Sequence, residues 1–273
     1  MDFYGCHFEY AGEMSRKYGL IIASVNTQRN LLLSGNTESA SFFNKKNNTR
    51  HDLGKIYSDA PFEFDMEVVS EDVIDGDNRR AIQKWLFNQR GYQKLYIDRA
   101  EEVFGETFDL SVGGTQRTYL NCKFVNPEKI EDGRGVVGFK FKVECDSHLA
   151  WQDPSFERED FPGGVDSVVS LSVVTDTDSD CYVYPKISLT TGSVGGSLII
   201  CNESDDESRI TALTDIPPNT LLVINSQYNY VSSGYYANFT NRNFPRLLDG
   251  ENEIVISGDV VSVKFEWQNM RYL

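Results

Sequence analysis

The sequence predicts a mainly β protein of two domains with a single helix in the first. Apolar and polar residues alternate in most of its short apolar segments, as they do in strands that bury one face. Tyr and Phe account for 14 and 17 of the 273 residues, and aromatic residues favour strands. Only residues 77–88 repeat apolar side chains at helical spacing.

The first domain opens with two predicted strands around a turn. Phe8 and Tyr10 alternate with polar residues, residues 12–15 break the pattern, and 18–25 resume it. Further strands of this domain are expected at 61–69, 95–98, 107–110, 117–125 and 138–145.

Residues 29–57 are predicted to form a hairpin arm with the polar tip 44–48. A two-stranded sheet is marginally stable alone, and this one carries more apolar surface than it can bury. We therefore expect the arm to pack against another molecule. The residues predicted to make that interface are Leu31, Leu32, Leu33, Phe42 and Phe43.

The predicted helix presents Ile82, Trp85 and Leu86 on one face, because these positions are three or four residues apart. Asp77 or Asn78 can cap its start by accepting hydrogen bonds from free backbone N–H groups. Gly91 lies just past its end, where a left-handed residue is expected. We interpret the helix as structural, covering one face of a sheet.

Charge, Pro and Gly concentrate in residues 146–166, which indicates a linker. Short strands separated by turn residues follow it, and this spacing is typical of a sandwich. The predicted domains are therefore residues 1–147, and residues 148–273 including the linker. The strands expected in the second domain are 168–174, 183–189, 196–202, 220–225, 253–256 and 260–267.

The chain is strongly acidic, with a net charge of −15. Residues 148–273 carry 7 basic and 18 acidic side chains, a net −11, and the first 147 residues carry −4. Such a charge argues against binding nucleic acid or anionic lipid. No signal peptide and no apolar run of membrane-spanning length is apparent. Five cysteines without a Cys-x-x-Cys pair predict free thiols in a reducing compartment.

No segment carries convincing catalytic or metal-binding chemistry. Residues 176–180 resemble the start of a calcium loop, but Cys181 and Ile187 stand where the turn Gly and the bidentate Glu are required. Cys145 and His148 could pair, but Cys145 ends an apolar strand face and is expected to be buried and inert. We therefore predict no catalytic residue, no cofactor and no metal. The remaining candidates for metal, catalytic or phosphate binding are interpreted as loops or surface positions. They are His7, His51, Asn202–Glu207, 113–115 and 195–197.

The order of these parts resembles the distal tail proteins of siphophages, the hub subunits of the tail tip. The resemblance runs through nearly the whole chain, and each motif is weak by itself. The matching segments are Phe8–Leu20, the arm 29–57, Trp85–Tyr96, Phe141–Ser147, Tyr184–Ile187, Phe244–Ile254 and Arg271–Leu273.

The resemblance implies a barrel-like first domain with one helix and a protruding arm, and a galectin-like sandwich. It implies a hexameric ring built by the first domains, each arm embracing a neighbour. Such a ring joins the tail tube protein to the tip protein around the DNA channel. The second domains point outward and hold receptor-binding or other baseplate proteins, at a virion tail tip assembled in the host cytoplasm. The family implies no catalytic residue.

Two other function classes fit parts of the sequence. A carbohydrate-binding module or host-surface adhesin is supported by the sandwich and by aromatic residues in turn-rich sequence, and a glycan-degrading enzyme is the second. A ring-forming first domain argues against both. Aromatic loops bind proteins or sugars, and we predict a protein-docking role rather than a simple saccharide site. The residues concerned are Tyr228, Tyr230, Tyr235 and Tyr236.

Overall fold

The computed structural model divides the chain into two compact units, the first ending at Trp151 and the second spanning Gln152–Arg271. Strands make up 56% of the chain, which confirms the mainly β prediction. The structure describes residues 7–26, 37–44, 49–57, 61–97, 117–164, 167–178, 182–206, 209–232 and 234–271. The predicted strand 107–110 and residues 31–33 lie outside these ranges.

The first unit contains ten described strands, a 3₁₀ turn at Ser15–Tyr18 and one α-helix, α1 (Gly76–Phe87). The strands are β1 (Phe8–Tyr10), β2 (Glu13–Met14), β3 (Leu20–Asn26), β4 (Thr37–Asn44), β5 (Thr49–Tyr57), β6 (Glu63–Ser70), β7 (Gln93–Ile97), β8 (Thr118–Asp132), β9 (Gly135–Cys145) and β10 (Ala150–Gln152), which crosses the division between the units.

Seven of these strands follow one another in an antiparallel sheet in the order β2-β1-β7-β8-β9-β6-β3, and β10 joins the same sheet by pairing with β8. The expected barrel-like closure is absent among the described strands, because β2 and β3 end the order without pairing to each other. β4 and β5 pair only with each other, in a separate two-stranded sheet.

Helix α1 covers the sheet with the face that its spacing predicts. Ile82, Trp85 and Leu86 are buried in the core of the first unit together with strand residues such as Phe8 and Phe141. The Trp85 indole N–H donates to the Tyr10 carbonyl (2.7 Å), which ties the helix to β1.

The ends of α1 differ slightly from the prediction. The N-cap is Asp75, whose carboxylate accepts hydrogen bonds from the backbone N–H groups of Asp77 and Asn78. A cap accepts from N–H groups two or three residues ahead, so the cap lies before the two residues predicted for that role. Asn88 is the C-cap, and Gly91 is left-handed (φ 71°) three residues further on.

The second unit is a sandwich of two antiparallel sheets around a single apolar core. One sheet has the strand order β11-β19-β13-β16-β17 and the other β12-β18-β14-β15. The strands are β11 (Ser155–Asp160), β12 (Val168–Thr175), β13 (Lys186–Thr191), β14 (Gly196–Asn202), β15 (Ile210–Ile216), β16 (Leu221–Asn225), β17 (Tyr230–Val231), β18 (Gly250–Ser257) and β19 (Val260–Trp267), with a 3₁₀ turn at Tyr236–Asn238. A further short strand, β20 (Met270–Arg271), belongs to neither sheet of the sandwich.

The predicted linker 146–166 is wrong for residues 155–160, because β11 pairs with β19 along its whole length. The charges that suggested a linker are compatible with a strand here because β11 is the edge of its sheet. Most of its side chains are exposed, and charged side chains are common on edge strands.

Candidate interaction surfaces

In the sequence, the β4–β5 hairpin lies between β3 and β6, which are neighbouring strands of the first sheet. β3 and β6 pair antiparallel as far as Asn26 opposite Asp65, and β4 and β5 lie between these two positions in the sequence. The hairpin register runs from Thr37 opposite Tyr57 to Asn44 opposite Thr49. Phe42 and Phe43 lie within β4, opposite His51 and Arg50.

The four tyrosines predicted to bind a partner differ in how exposed their side chains are. Tyr228, Tyr230 and Tyr236 are 73%, 49% and 46% exposed, whereas Tyr235 is partly buried against the core of the second unit. The Arg242 guanidinium lies over the Tyr236 ring (5.1 Å). Tyr228 lies in the turn after β16, Tyr230 in β17 and Tyr236 in the 3₁₀ turn that follows.

The asparagines near these tyrosines are engaged with the backbone. The Asn225 side-chain oxygen accepts a hydrogen bond from the Tyr228 N–H (3.3 Å), and the Asn238 amide donates to the Thr214 carbonyl (2.8 Å). Saccharide recognition needs polar groups that converge on a ligand. These two amides instead stabilise the loops.

Arg271 neutralises the segment that resembles a calcium loop. Its guanidinium pairs with Asp176 (2.7 Å) and Asp178 (3.1 Å), and it lowers the pKa of Asp176 through a direct hydrogen bond. No group of three or more metal-ligating side chains occurs among the described residues. The two carboxylates therefore serve an ion pair.

Cys145 and Cys122 lie opposite each other on β9 and β8, and both are buried. Burial raises the pKa of the Cys122 thiol, and the neighbouring Cys145 raises it further. Since the thiolate is the reactive form, Cys122 is poorly suited to nucleophilic chemistry.

Sequence reasoning missed two groups that hold the loops of the second unit. Asp259 accepts hydrogen bonds from the N–H groups of Gly164, Val194 and Gly195, so a carboxylate already occupies the Gly-rich turn 195–197. Asn252 is fully buried, with an oxygen that accepts from the Leu248 N–H (2.8 Å). Neither group lies in a recognisable sequence motif, and turn residues nearby were the only signal.

Arg246 fixes the loop before β18. Its guanidinium forms two hydrogen bonds with the Asp205 carboxylate (2.6 and 2.9 Å) and stacks over the Tyr182 ring (3.6 Å). Its carbonyl accepts from the Asn202 amide (3.0 Å). Paired in this way, Asp205 has a lowered pKa and is part of the structure rather than a cation site.

The described residues thus form an antiparallel sheet with a self-paired hairpin in the first unit and a β-sandwich in the second. Residues 3–147 match the phage tail protein N-terminal domain model, and residues 159–267 match the phage tail C-terminal domain model. The chain belongs to this phage tail protein family. This match confirms the resemblance found in the sequence.

Solved structures share the fold at very low sequence identity. The SPP1 Dit (gp 19.1) protein, described as a hub of the adsorption apparatus in phages that infect Gram-positive bacteria, matches with a TM-score of 0.63 and 8% identity. The alignment covers 96% of this chain and 98% of that one. Two structures of the activated phage p2 baseplate, with Sr and with Ca, give TM-scores of 0.53 and 0.54 at 5% and 6% identity. Each covers 97% of this chain and 98% of the other. No curated protein sequence matches.

In the part of the chain that the structure describes, no helix has the length and apolar character of a membrane span. The family match identifies the chain as a phage tail protein.

Proposed function

We propose that the protein is the hub subunit of a siphophage tail tip. Six copies form a closed ring through residues 1–147, and the arm 29–57 of each copy clasps its neighbour. The ring joins the tail tube to the tip protein, and residues 148–273 hold receptor-binding or other baseplate proteins. The role is structural rather than enzymatic, and assembly takes place in the host cytoplasm.

The inserted hairpin is the observation that carries this proposal. β4 and β5 lie between the paired strands β3 and β6 in the sequence, and among the described strands they pair with each other and with no strand of that sheet. A two-stranded sheet needs a surface to pack on. A head-to-tail ring supplies that surface, because the hairpin of every copy can pack on the equivalent surface of the adjacent copy.

The acidic charge supports a ring around a DNA channel. A net charge of −15 offers few partners to phosphates and repels a polyanion that passes through. DNA can therefore cross such a ring without binding to it.

Removal of the hairpin tests the ring. Residues 30–58 are replaced by a short Gly-Ser linker, which closes easily because Asn26 and Asp65 already face each other. We expect the variant to fold, with a strand signal in circular dichroism that falls only by the contribution of β4 and β5, and to lose the ring mass in native mass spectrometry. At matched micromolar concentration, we expect the association constant of the ring contact to fall tenfold or more, which is on the order of 1.4 kcal/mol or greater in the free energy of association.

A milder variant controls for the deletion. Phe42→Ser with Phe43→Ser keeps the backbone and removes apolar surface from β4, whereas Val194→Ser removes an exposed apolar side chain from the second unit. If the Phe42→Ser, Phe43→Ser double variant loses the ring and the Val194→Ser variant keeps it, the result supports the arm as the ring contact. Rings of equal abundance in the hairpin-deleted protein would refute it.

The second unit is proposed to dock proteins rather than simple saccharides. The exposed tyrosines support docking, while the Asn225 and Asn238 amides are turned to the backbone. Tyr228 and Tyr236 are the positions at which substitution tests this role, since Tyr235 also packs on the core.

A further inference from the structure

β12 is an edge strand without the usual protection against pairing. It lies at one end of the four-stranded sheet and pairs with β18 over eight residues without a bulge. Its sequence, VVSLSVVT, contains no charge and no proline. Edge strands normally carry charge, proline or a bulge because open backbone groups recruit other strands.

The open backbone groups of β12 belong to alternate residues. The Gly258 N–H donates to the Ser167 carbonyl, which fixes the ladder so that odd-numbered residues bond to β18. The Glu203 N–H donates to the Glu253 carbonyl on the other side of β18, which agrees with this phase. The backbone N–H and C=O groups of the even-numbered residues therefore point to the open edge, where no other described strand pairs. These residues are Val168, Ser170, Ser172 and Val174.

The side chains at the two ends of this edge are apolar and exposed. Val168 is 64% exposed and Val174 is 61% exposed. From Val168 the same outer face continues across the sheet through Ser257, Ile199 and Ala212, a row without charge. Exposed valines beside open backbone groups, on an edge without charge, favour association with another strand.

Residues 168–174 read the same in both directions, V-V-S-L-S-V-V, centred on Leu171. If two copies meet antiparallel with a two-fold axis at Leu171, Val168 faces Val174 of the second copy and Ser170 faces Ser172. The open backbone groups then fall in hydrogen-bonded pairs, each of which exchanges two bonds. Shifting the register by two residues would place valine opposite serine and lose this match.

We propose that β12 pairs with β12 of a second copy and joins their four-stranded sheets into one continuous sheet. The contact is isologous and uses the second unit only, so it is separate from the head-to-tail ring proposed for the first unit. The occupant of this edge is a copy of the same chain because the strand complements itself in sequence and in hydrogen-bonding phase.

The test removes the N–H group of one open-edge residue in the full chain. Ser170→Pro deletes an N–H that bonds to nothing within the sheet, and proline is accepted on edge strands. Ser170→Thr is the matched control because it keeps the N–H and favours a strand. At about 0.15 M salt, which screens the acidic charge, we expect sedimentation to show pairing that Ser170→Thr keeps and Ser170→Pro weakens at least tenfold.

A second pair of variants covers the case in which Ser170→Pro does not fold. Val174→Lys introduces an edge charge, and Val194→Lys makes the same change at another exposed position. Only Val174→Lys is expected to reduce pairing. Hydrogen exchange of residues 168–174 should slow as concentration rises in the unmodified protein.

The two contacts can be separated by the hairpin-deleted protein. It is expected to lose the ring and still form the β12 pair, whereas Val174→Lys is expected to keep the ring and lose the pair. Equal pairing by Val174→Lys and Val194→Lys, or exchange at 168–174 that does not change with concentration, would overturn the β12 proposal and leave the ring untouched.

Discussion

At the scale of single residues, Asp259 is the side chain on which several loops depend. Its Oδ1 accepts from the Gly164 N–H (2.8 Å), and its Oδ2 accepts from the Val194 and Gly195 N–H groups (2.8 and 2.9 Å). A Cβ added at Gly192 would meet the same carboxylate. These bonds to the charged form lower the pKa of Asp259.

The lowered pKa gives Asp259 a defined pH signature. A carboxyl group with a depressed pKa stabilises the fold fully above its unfolded value, about 3.9, and loses this contribution as the pH falls through the folded value. In the Asp259→Asn variant, the side-chain NH₂ group replaces one acceptor oxygen, so its hydrogens face backbone N–H groups that donate to the carboxylate in the unmodified protein. We expect a lower urea midpoint than the unmodified protein at pH 7, and a smaller difference at pH 3.

The control for this variant is Asp215→Asn. Asp215 is exposed and left-handed (φ 55°), a conformation that Asn also adopts readily. Its urea midpoint should stay close to that of the unmodified protein at pH 7. A difference for Asp259→Asn that is constant between pH 7 and pH 3 would contradict the role of the carboxylate charge.

At the scale of elements, helix α1 depends on Trp85. The indole stacks on Phe8 (5.6 Å between ring centroids) and on Tyr18 (4.8 Å), besides its hydrogen bond to Tyr10. The helix is short, and a helix of this length is stable only through the packing of its buried face. Trp85 therefore couples the helix to β1 and to the 3₁₀ turn.

Trp85→Ala is expected to destabilise the first unit by about 3–5 kcal/mol, because it leaves a cavity and removes the indole hydrogen bond to the Tyr10 carbonyl. Trp85→Phe keeps one stacking ring but loses the N–H and part of the ring volume, and it should cost about 1–3 kcal/mol. Hydrogen exchange in β1 and α1 measures this locally, with exposed Gln83→Ala as the control. Equal exchange in all three variants would show that the helix is held by other contacts.

At the scale of the whole molecule, charge determines what the protein avoids. With a net charge of −15, we expect no binding to duplex DNA at physiological salt, since affinity for DNA comes largely from neutralised phosphates. A gel-shift titration to about 10 μM protein should show free DNA throughout. A shifted band at micromolar protein would contradict a channel that DNA crosses without binding.

The sequence by itself determined the class of the fold, the helix face and the family, because these depend on local periodicity and on the order of segments. The buried face of Ile82, Trp85 and Leu86 follows from spacing alone. The tertiary structure decided what depends on residues distant in the chain. Asp259 meets Gly164 across 95 positions, and β11 becomes a strand only by pairing with β19. The open edge of β12 is likewise a property of the sheet order, since a strand sequence does not state whether it has one neighbour or two.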